Sequence, residues 1–213
     1  TFFKKHTQFQ KYFKNKTLDV AYYDGRNTDI IHLHFADKDI EKDSQDQPIV
    51  VIANYFFDSI PFELIRIKEG TLSNSFVTVK SAVKDVNPGN IPLNEIELQY
   101  QFETIDKSNF ENAYYNDILN EYLAALPNTY LPFPKGSLDC IKRLQGLSKC
   151  GMMLLTMDKG FQHLSLLNNR PLPEWITHGS FSFSVNYHAF IRFCELSGGK
   201  AMFSNFSNFH LEV

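Results

Sequence analysis

The chain has 213 residues, of which 43% are hydrophobic and 15% aromatic, and its formal net charge is -3. This length and composition suit one domain with a sizeable core and exclude a largely disordered chain. The slightly acidic balance, without a basic stripe, argues against nucleic acid as a partner.

The N-terminal part of the chain predicts one helix and two strands. Apolar residues recur at helical spacing within residues 7–15. Residues 18–23 predict a strand, and the polar segment 36–47 predicts a surface loop. The continuous β-branched run 48–53 is typical of a strand covered on both faces, as in a parallel sheet.

Residues 62–105 predict a strand-rich insertion. Three segments, 62–68, 76–80 and 96–102, alternate apolar and polar residues and are separated by turn residues. They therefore predict a three-stranded antiparallel sheet with one face in water.

The remaining sequence alternates helices with a further strand. Ser108-x-x-Glu111 matches a capping box and predicts the start of a helix. A second helix is predicted over residues 137–148, and a third carries the apolar stripe at 187–194. Between these two helices, the run 152–157 predicts another fully apolar strand.

Two short predicted strands, 201–204 and 209–213, close the chain. About four residues separate them, whereas a parallel crossover needs a dozen or more, so this pair is expected to be antiparallel. The alternation of buried strands and helices upstream predicts a parallel sheet with helices on both faces. The arrangement resembles the class I methyltransferase topology. The expected fold class is therefore α/β, a Rossmann-like sheet that ends in an antiparallel hairpin, in a single domain over residues 1–213.

The cysteines and the hydropathy bear on localisation. Cys140, Cys150 and Cys194 fit neither a disulfide framework nor zinc-site spacing, so we predict that all three are reduced. This favours the cytoplasm or an organelle matrix. No run of about 18 apolar residues is present, and the sequence therefore predicts no membrane partner.

Polar residues follow three of the predicted strands. They are Asp24-Gly25, Asn54 with the segment up to Asp58, and Asp158-Lys159-Gly160. In open α/β sheets, ligands bind outside the carboxyl ends of the strands. These three strand ends are therefore the candidate site, although Asp, Asn and Gly are also ordinary turn formers.

The segment 53–61 resembles a family signature. Its sequence, ANYFFDSIP, is similar to the "N-E-x-x-D-A-x-P" motif of MidA-like methyltransferases, the group that includes a mitochondrial protein-arginine methyltransferase for complex I assembly. Residues 154–161, LLTMDKGF, are similar to the family's "L-x-I-D-Y-G-Y" strand end, and residues 178–187 are similar to its "T-A-H-V-D-F" motif. The strand-rich insertion also matches in position, and the resemblance covers residues 17–213.

The chain departs from the family pattern at several positions. Tyr55 replaces the family's Glu, and Lys159 replaces its aromatic residue. The glycine-rich loop and the acidic residue that holds the ribose have no candidate in residues 1–16. We expect the strand and glycine loop that normally begin such a domain to lie upstream in the native polypeptide.

The resemblance implies contacts with S-adenosylmethionine, and each has a structural alternative. Asp24 would accept a hydrogen bond from the adenine amino group, with Gly25 beside it, or Asp24 forms a plain turn at the strand exit. Asn54 would accept the N–H of the methyl acceptor, or it caps the following turn. Tyr55 and Phe57 would pack on the cofactor, or they belong to the core.

Two carboxylates complete the predicted site. Asp58 would orient a cationic or N–H-bearing substrate, or it hydrogen-bonds the adjoining turn. Asp158 would contact the substrate, or it is a turn residue before Gly160. His32 and His34 alternate as strand residues would, but no third ligand is apparent, so no metal is predicted.

The sequence thus predicts a methyltransferase that uses S-adenosylmethionine and methylates a nitrogen, such as an arginine of a protein substrate. The alternative is a catalytically degenerate methyltransferase fold that acts as a protein-interaction module. A Rossmann-like oxidoreductase is a third reading, which the closing antiparallel hairpin disfavours. No Walker loop, G-x-S-x-G or C-x-x-C motif occurs in the chain.

Overall fold

The computed structural model describes residues 5–81, 91, 95–106, 110–172 and 183–203. The chain forms two compact units. Unit 1 comprises residues 1–60 and 136–157, and unit 2 comprises residues 61–135 and 158–213. No helix in the described ranges is long and apolar enough to cross a membrane.

The secondary structure of the described residues mixes helices and strands. The α-helices are α1 (Gln10–Lys14), α2 (Ala113–Ala125), α3 (Lys135–Gln145) and α4 (Tyr187–Leu196). The strands are β1 (Ile31–Leu33), β2 (Lys38–Ile40), β3 (Ile49–Asn54), β4 (Glu63–Lys68), β5 (Thr71–Ser81), β6 (Ile96–Thr104), β7 (Asn128–Phe133) and β8 (Met152–Met157). Short 3-10 turns lie at Thr7–Phe9, Phe57–Ser59 and Leu164–Leu167.

Unit 1 contains the parallel strand pair that the apolar runs predict. β3 and β8 pair in parallel, from Ile49 opposite Met152 to Asn54 opposite Met157. Both strands were predicted as fully apolar runs, and both are confirmed. Their carboxyl ends lie side by side because the strands run in the same direction.

The prediction that these strands are covered on both faces is wrong. The buried Ala53 lies on one face, and the side chains of the other face are 49% to 76% exposed. This exposed face consists of Val50, Ile52, Met153, Leu155 and Met157. β-Branched and long apolar residues favour a strand whether or not a second layer packs on it. The composition of β3 and β8 therefore did not determine whether both faces are buried.

The N-terminal segment of unit 1 differs from the prediction. The expected strand at residues 18–23 is irregular, and an antiparallel hairpin of β1 and β2 lies downstream, partly within the expected surface loop. The carboxylate of Asp19 accepts hydrogen bonds from the backbone N–H groups of Phe35 at 2.9 Å and Ala36 at 2.8 Å. These side-chain bonds hold the segment without a strand ladder. The predicted helix at residues 7–15 is confirmed as a 3-10 turn followed by α1.

Unit 2 contains a four-stranded antiparallel sheet in the order β6-β5-β4-β7. The three strands predicted for the insertion are confirmed as β4, β5 and β6. The sequence analysis missed β7, which follows Pro127 and contains Pro132. Among the described strands, β7 pairs with β4 alone and is an edge strand, where a proline is tolerated, so Pro132 hid this strand.

The core of unit 2 lies between this sheet and its helices. The predicted apolar face of α2 is buried at Tyr115, Ile118, Leu119 and Tyr122. The helix does not begin at the predicted capping box, because Ala113 is its first residue. The Asn112 side chain caps it by accepting the N–H of Tyr114 at 3.0 Å, whereas Ser108 lies outside the described residues.

The predicted closing hairpin lies largely outside the described residues. Residues 201–203 form no strand, and residues 204–213 are not described. Residues 173–182, which include the first half of the third family-like motif, are not described either. The coarse α/β class is confirmed by a parallel sheet in unit 1 and an antiparallel sheet in unit 2.

Candidate functional site

The carboxyl end of β3 turns sharply away from the sheet. Asn54 is the last strand residue and is exposed. Tyr55 follows with a φ of 50°, a left-handed conformation that costs a non-glycine residue about 1 kcal/mol or more. Its N–H donates to the carbonyl of Met157 at 3.0 Å, and its side chain is 69% exposed. Asn54 and Tyr55 therefore present an amide and an aromatic ring to solvent at this strand end.

The next two aromatic residues pack inward. The ring of Phe56 stacks on that of Tyr23 with centroids 6.2 Å apart. Phe57, predicted to contact the cofactor, is 3% exposed and begins the 3-10 turn Phe57–Ser59. Asp58 is the middle residue of this turn and is half-buried. The position of Phe57 favours its core role over its cofactor role.

Asp24 and Gly25 form a tight turn that packs on this segment. The carbonyl of Asp24 accepts from the N–H of Thr28 at 3.0 Å. A Cβ on Gly25 would lie 2.8 Å from both Phe56 Cζ and Ile60 Cδ1. The fold therefore brings the turn at Asp24 and the segment after β3 together, although a loop and not the predicted strand precedes Asp24.

The carboxylate of Asp24 is fully engaged within its own turn. Arg26 donates to it through Nε, 2.9 Å from Oδ1, and Nη2, 2.6 Å from Oδ2. These side-chain hydrogen bonds and the backbone N–H of Arg26 lower the pKa of Asp24 to about 2. An adenine amino group would have to displace Arg26, so the geometry favours the turn role.

Residues of α3 contact this turn and the residue before it. The sequence analysis did not identify these contacts. Arg143 donates through Nη2 to the carbonyl of Gly25. The hydroxyl of Tyr23 lies 3.2 Å from Sγ of Cys140, and burial raises the pKa values of both groups. These partners are more than a hundred residues apart in the chain, so no local spacing pointed to them.

Asp158 follows β8 in the chain but belongs to unit 2. Its Oδ1 accepts the N–H of Lys159 at 2.8 Å, which is a turn contact. Gly160 then pairs with Val185, because Val185 donates to the carbonyl of Lys159 and accepts from the N–H of Phe161, each at 2.8 Å. The structure thus joins two segments that resemble family motifs.

A buried polar network adjoins that junction. Asn186 caps α4 by accepting the N–H of Ala189 at 3.1 Å, and it donates to the carbonyl of Pro132 at 3.2 Å. The hydroxyl of Tyr122 lies 3.0 Å from Nδ1 of His188 and 3.4 Å from Oδ1 of Asn186. Burial raises the pKa of Tyr122 and lowers that of His188. This network fixes α2 and α4 against β7.

The two predicted strand histidines have different surroundings. His32 Nδ1 lies 2.7 Å from the carboxylate of Asp39, which raises the pKa of His32. His34 lies beyond the end of β1 and packs against Phe35 at 5.1 Å between ring centroids. Within the described ranges, no three His, Cys, Asp or Glu side chains form a group suited to a metal ion.

Comparisons with protein-family models, curated proteins and solved structures found no match to this chain. The family resemblance therefore rests on the three quoted motifs and the order in which they occur.

Proposed function

We propose that this protein is a methyltransferase that uses S-adenosylmethionine and methylates a nitrogen, such as an arginine side chain of a protein. The main support is the exposed amide of Asn54 at the carboxyl end of β3, beside the parallel strand β8. Ligands of open α/β sheets bind at such ends. The resemblance of the segment 53–61 to the MidA-like motif supplies the chemistry.

The described residues fit the acceptor end of this reaction better than the adenosine end. Asn54 and Tyr55 are exposed and offer an acceptor oxygen and an aromatic face. Both oxygens of Asp24 are bonded by Arg26, and the space over Gly25 is filled by Phe56 and Ile60. We therefore assign to Asn54 the role of holding the nitrogen that is methylated. The contacts of Asp24 and Gly25 with the adenosine stay a prediction.

The chemistry requires positioning more than proton transfer. S-adenosylmethionine supplies an electrophilic methyl group on a cationic sulfur. Transfer of that methyl group would break the S–C bond as the acceptor nitrogen forms the N–C bond, with the proton released to water, so the protein's own part would be to hold and orient the acceptor. Asn54 Oδ1 would accept the acceptor's N–H and orient the lone pair, and the ring of Tyr55 would exclude water and favour nearby positive charge. Asp58 would attract a cationic acceptor.

Calorimetry with S-adenosylhomocysteine tests this proposal. We expect micromolar binding to the longest polypeptide that the gene encodes. Tyr55→Ala should weaken it, because the ring of Tyr55 is expected to pack on the cofactor, whereas Asn120→Ala, at an exposed position of α2, should not. Asn54→Ala should leave this binding intact and slow methyl transfer to an arginine-containing peptide. Undiminished binding by Tyr55→Ala, or undiminished methyl transfer by Asn54→Ala, would refute the assignment of this site.

A second candidate function is favoured by the exposed face of β3 and β8. Five apolar side chains there, Val50, Ile52, Met153, Leu155 and Met157, are open to solvent. Such contiguous apolar surface marks interaction sites. A degenerate methyltransferase fold that binds a protein would give no heat with S-adenosylhomocysteine while remaining folded, and this result would favour the second candidate.

A further inference from the structure

The four-stranded sheet of unit 2 has one face that carries cations and no carboxylate. Side chains alternate along each strand, and the register places Arg66 opposite both Ser73 and Tyr130, and Ser75 opposite Phe102. We call this the outer face. It consists of Leu64, Arg66, Lys68, Thr71, Ser73, Ser75, Val77, Val79, Leu98, Tyr100, Phe102, Thr104, Asn128, Tyr130 and Pro132.

The acidic residues of these four strands all lie on the opposite face. They are Glu63, Glu97 and Glu103, which alternate with the outer-face residues of β4 and β6. The opposite face also carries the buried core residues Ile65 and Ile67. The outer face is therefore complementary in charge to an anion.

Arg66 lies at the centre of the outer face without a carboxylate partner. Its guanidinium carbon is 4.1 Å from the ring centroid of Phe102, and that ring lies 5.7 Å from the ring of Tyr130. Nη2 donates to the hydroxyl of Ser73 at 3.3 Å, which is a long contact with a neutral group. No ion pair of Arg66 occurs in the part of the chain that the structure describes.

Two polar atoms in this cluster are buried and unsatisfied. Nε of Arg66 and Oγ of Ser75 are shielded from solvent and have no hydrogen-bond partner within the described residues. Ser75 lies two residues from Ser73 on the same face and opposite Phe102. A buried N–H donor and a buried hydroxyl that lack partners are each energetically unfavourable. An oxygen-bearing group would satisfy either donor.

We propose that Arg66 is the centre of a binding site for a carboxylate group on the outer face. The planar guanidinium matches a carboxylate, with Nε and an Nη donating side by side, and the Ser75 hydroxyl adds a third donor. The rings of Phe102 and Tyr130 and the exposed side chains of Val77 and Val79 provide apolar contacts. The ligand is therefore a carboxylate next to an apolar or aromatic group, either free or within a peptide. This inference does not rest on methyl transfer, and its test contains no cofactor.

Benzoate is the first probe, with benzamide as its neutral counterpart. We expect benzoate to raise the thermal unfolding midpoint of the full chain in a concentration-dependent way, because a ligand that binds the folded state stabilises it. Benzamide should leave the midpoint unchanged. Inorganic phosphate at the same concentration should have a smaller effect, and a larger one would contradict the carboxylate assignment.

Two variants at the outer face separate a specific site from general charge attraction. Arg66→Met removes the cation at the site and keeps the side-chain volume, and Lys68→Met removes one charge from an exposed position on the same face. Arg66→Met should abolish the effect of benzoate, while Lys68→Met should retain it. Equal responses to benzoate in the two variants would overturn the proposal.

Further variants guard against a folding defect and identify the source of the carboxylate. Arg66→Lys keeps the charge but loses the planar fork, so it should weaken benzoate binding by about tenfold or more. Ser75→Ala should weaken it less. If the peptide N-acetyl-Phe-Asp-Val-amide binds more tightly than benzoate, the source is a peptide, and equal affinity indicates a small carboxylate. Undiminished benzoate binding by Arg66→Lys would overturn the proposal.

Discussion

Replacing Gly160 by alanine tests how the segment after β8 is held against the start of α4. A Cβ at this position would overlap the carbonyl oxygen of Val185 and lie 2.6 Å from Cδ2 of Tyr187. The first of these atoms belongs to the backbone, so the clash cannot be relieved by a side-chain rotation. The segment at Gly160 and the segment at Val185 must therefore move apart.

The expected cost follows from the bonds that separation would break. Val185 makes two backbone hydrogen bonds here, one to Lys159 and one to Phe161. Each contributes about 1 kcal/mol, and overpacking adds about 1–3 kcal/mol. We therefore expect Gly160→Ala to lower the free energy of unfolding by about 3 kcal/mol, measured by urea denaturation.

Gly146→Ala is the matched control. A Cβ there would be 3.4 Å from the carbonyl of Arg143, which is an ordinary contact, and it should change the free energy of unfolding by less than about 1 kcal/mol. If Gly160→Ala costs no more than Gly146→Ala, the close approach of the two segments is refuted.

Three further predictions concern α2 and α4. Tyr122→Phe removes the hydroxyl that donates to Oδ1 of Asn186 and contacts Nδ1 of His188, so it should lower the free energy of unfolding by about 1–2 kcal/mol, whereas Tyr114→Phe, at an exposed position, should have no effect. Asn112→Ala removes the cap of α2 and should cost about 1 kcal/mol by the same measurement. Burial lowers the pKa of His188 in the folded state, so the unfolded state binds a proton first as the pH falls below 6.5. Stability should therefore decline between pH 7 and pH 5 in urea titrations, and this decline should be smaller in His188→Asn; an identical decline would contradict the assignment.

The strands of the fold were predictable where local pattern alone decides the structure. Alternation identified β4, β5 and β6, and apolar runs identified β3 and β8. The hairpin of β1 and β2 and the irregular segment before Asp24 were not predictable. Their conformation depends on the carboxylate of Asp19 reaching Phe35 and Ala36, a contact over more than a dozen residues. The edge strand β7 was hidden because Pro132 is tolerated within a strand only at a sheet edge.

The candidate site stays a prediction, but the surroundings of its residues show what the sequence could not indicate. Gly25 packs against the segment that follows β3, although the strand expected before it is absent. The rule that ligands bind at strand ends could not foresee that Arg26, two residues from Asp24, would occupy both carboxylate oxygens. Nor could it identify Arg143, whose contact with the Gly25 carbonyl spans more than a hundred residues. A residue type at a strand end predicts which chemistry is possible there, but its neighbours in space decide whether that chemistry is free to occur.

The same distinction applies to the two later motifs that resemble the family. Gly160 and Val185 lie in direct contact, so packing alone is a sufficient reason for a glycine in one motif and a small apolar residue in the other. Asn186, in the second motif, is buried and fully engaged in capping α4 and in bonding Pro132. These positions therefore support the fold of unit 2 and carry little weight for catalysis. Asn54 and Tyr55 differ because neither is buried in the core, and the left-handed conformation of Tyr55 is an energetic cost. Evidence for or against methyl transfer must therefore come from substitutions at these two residues.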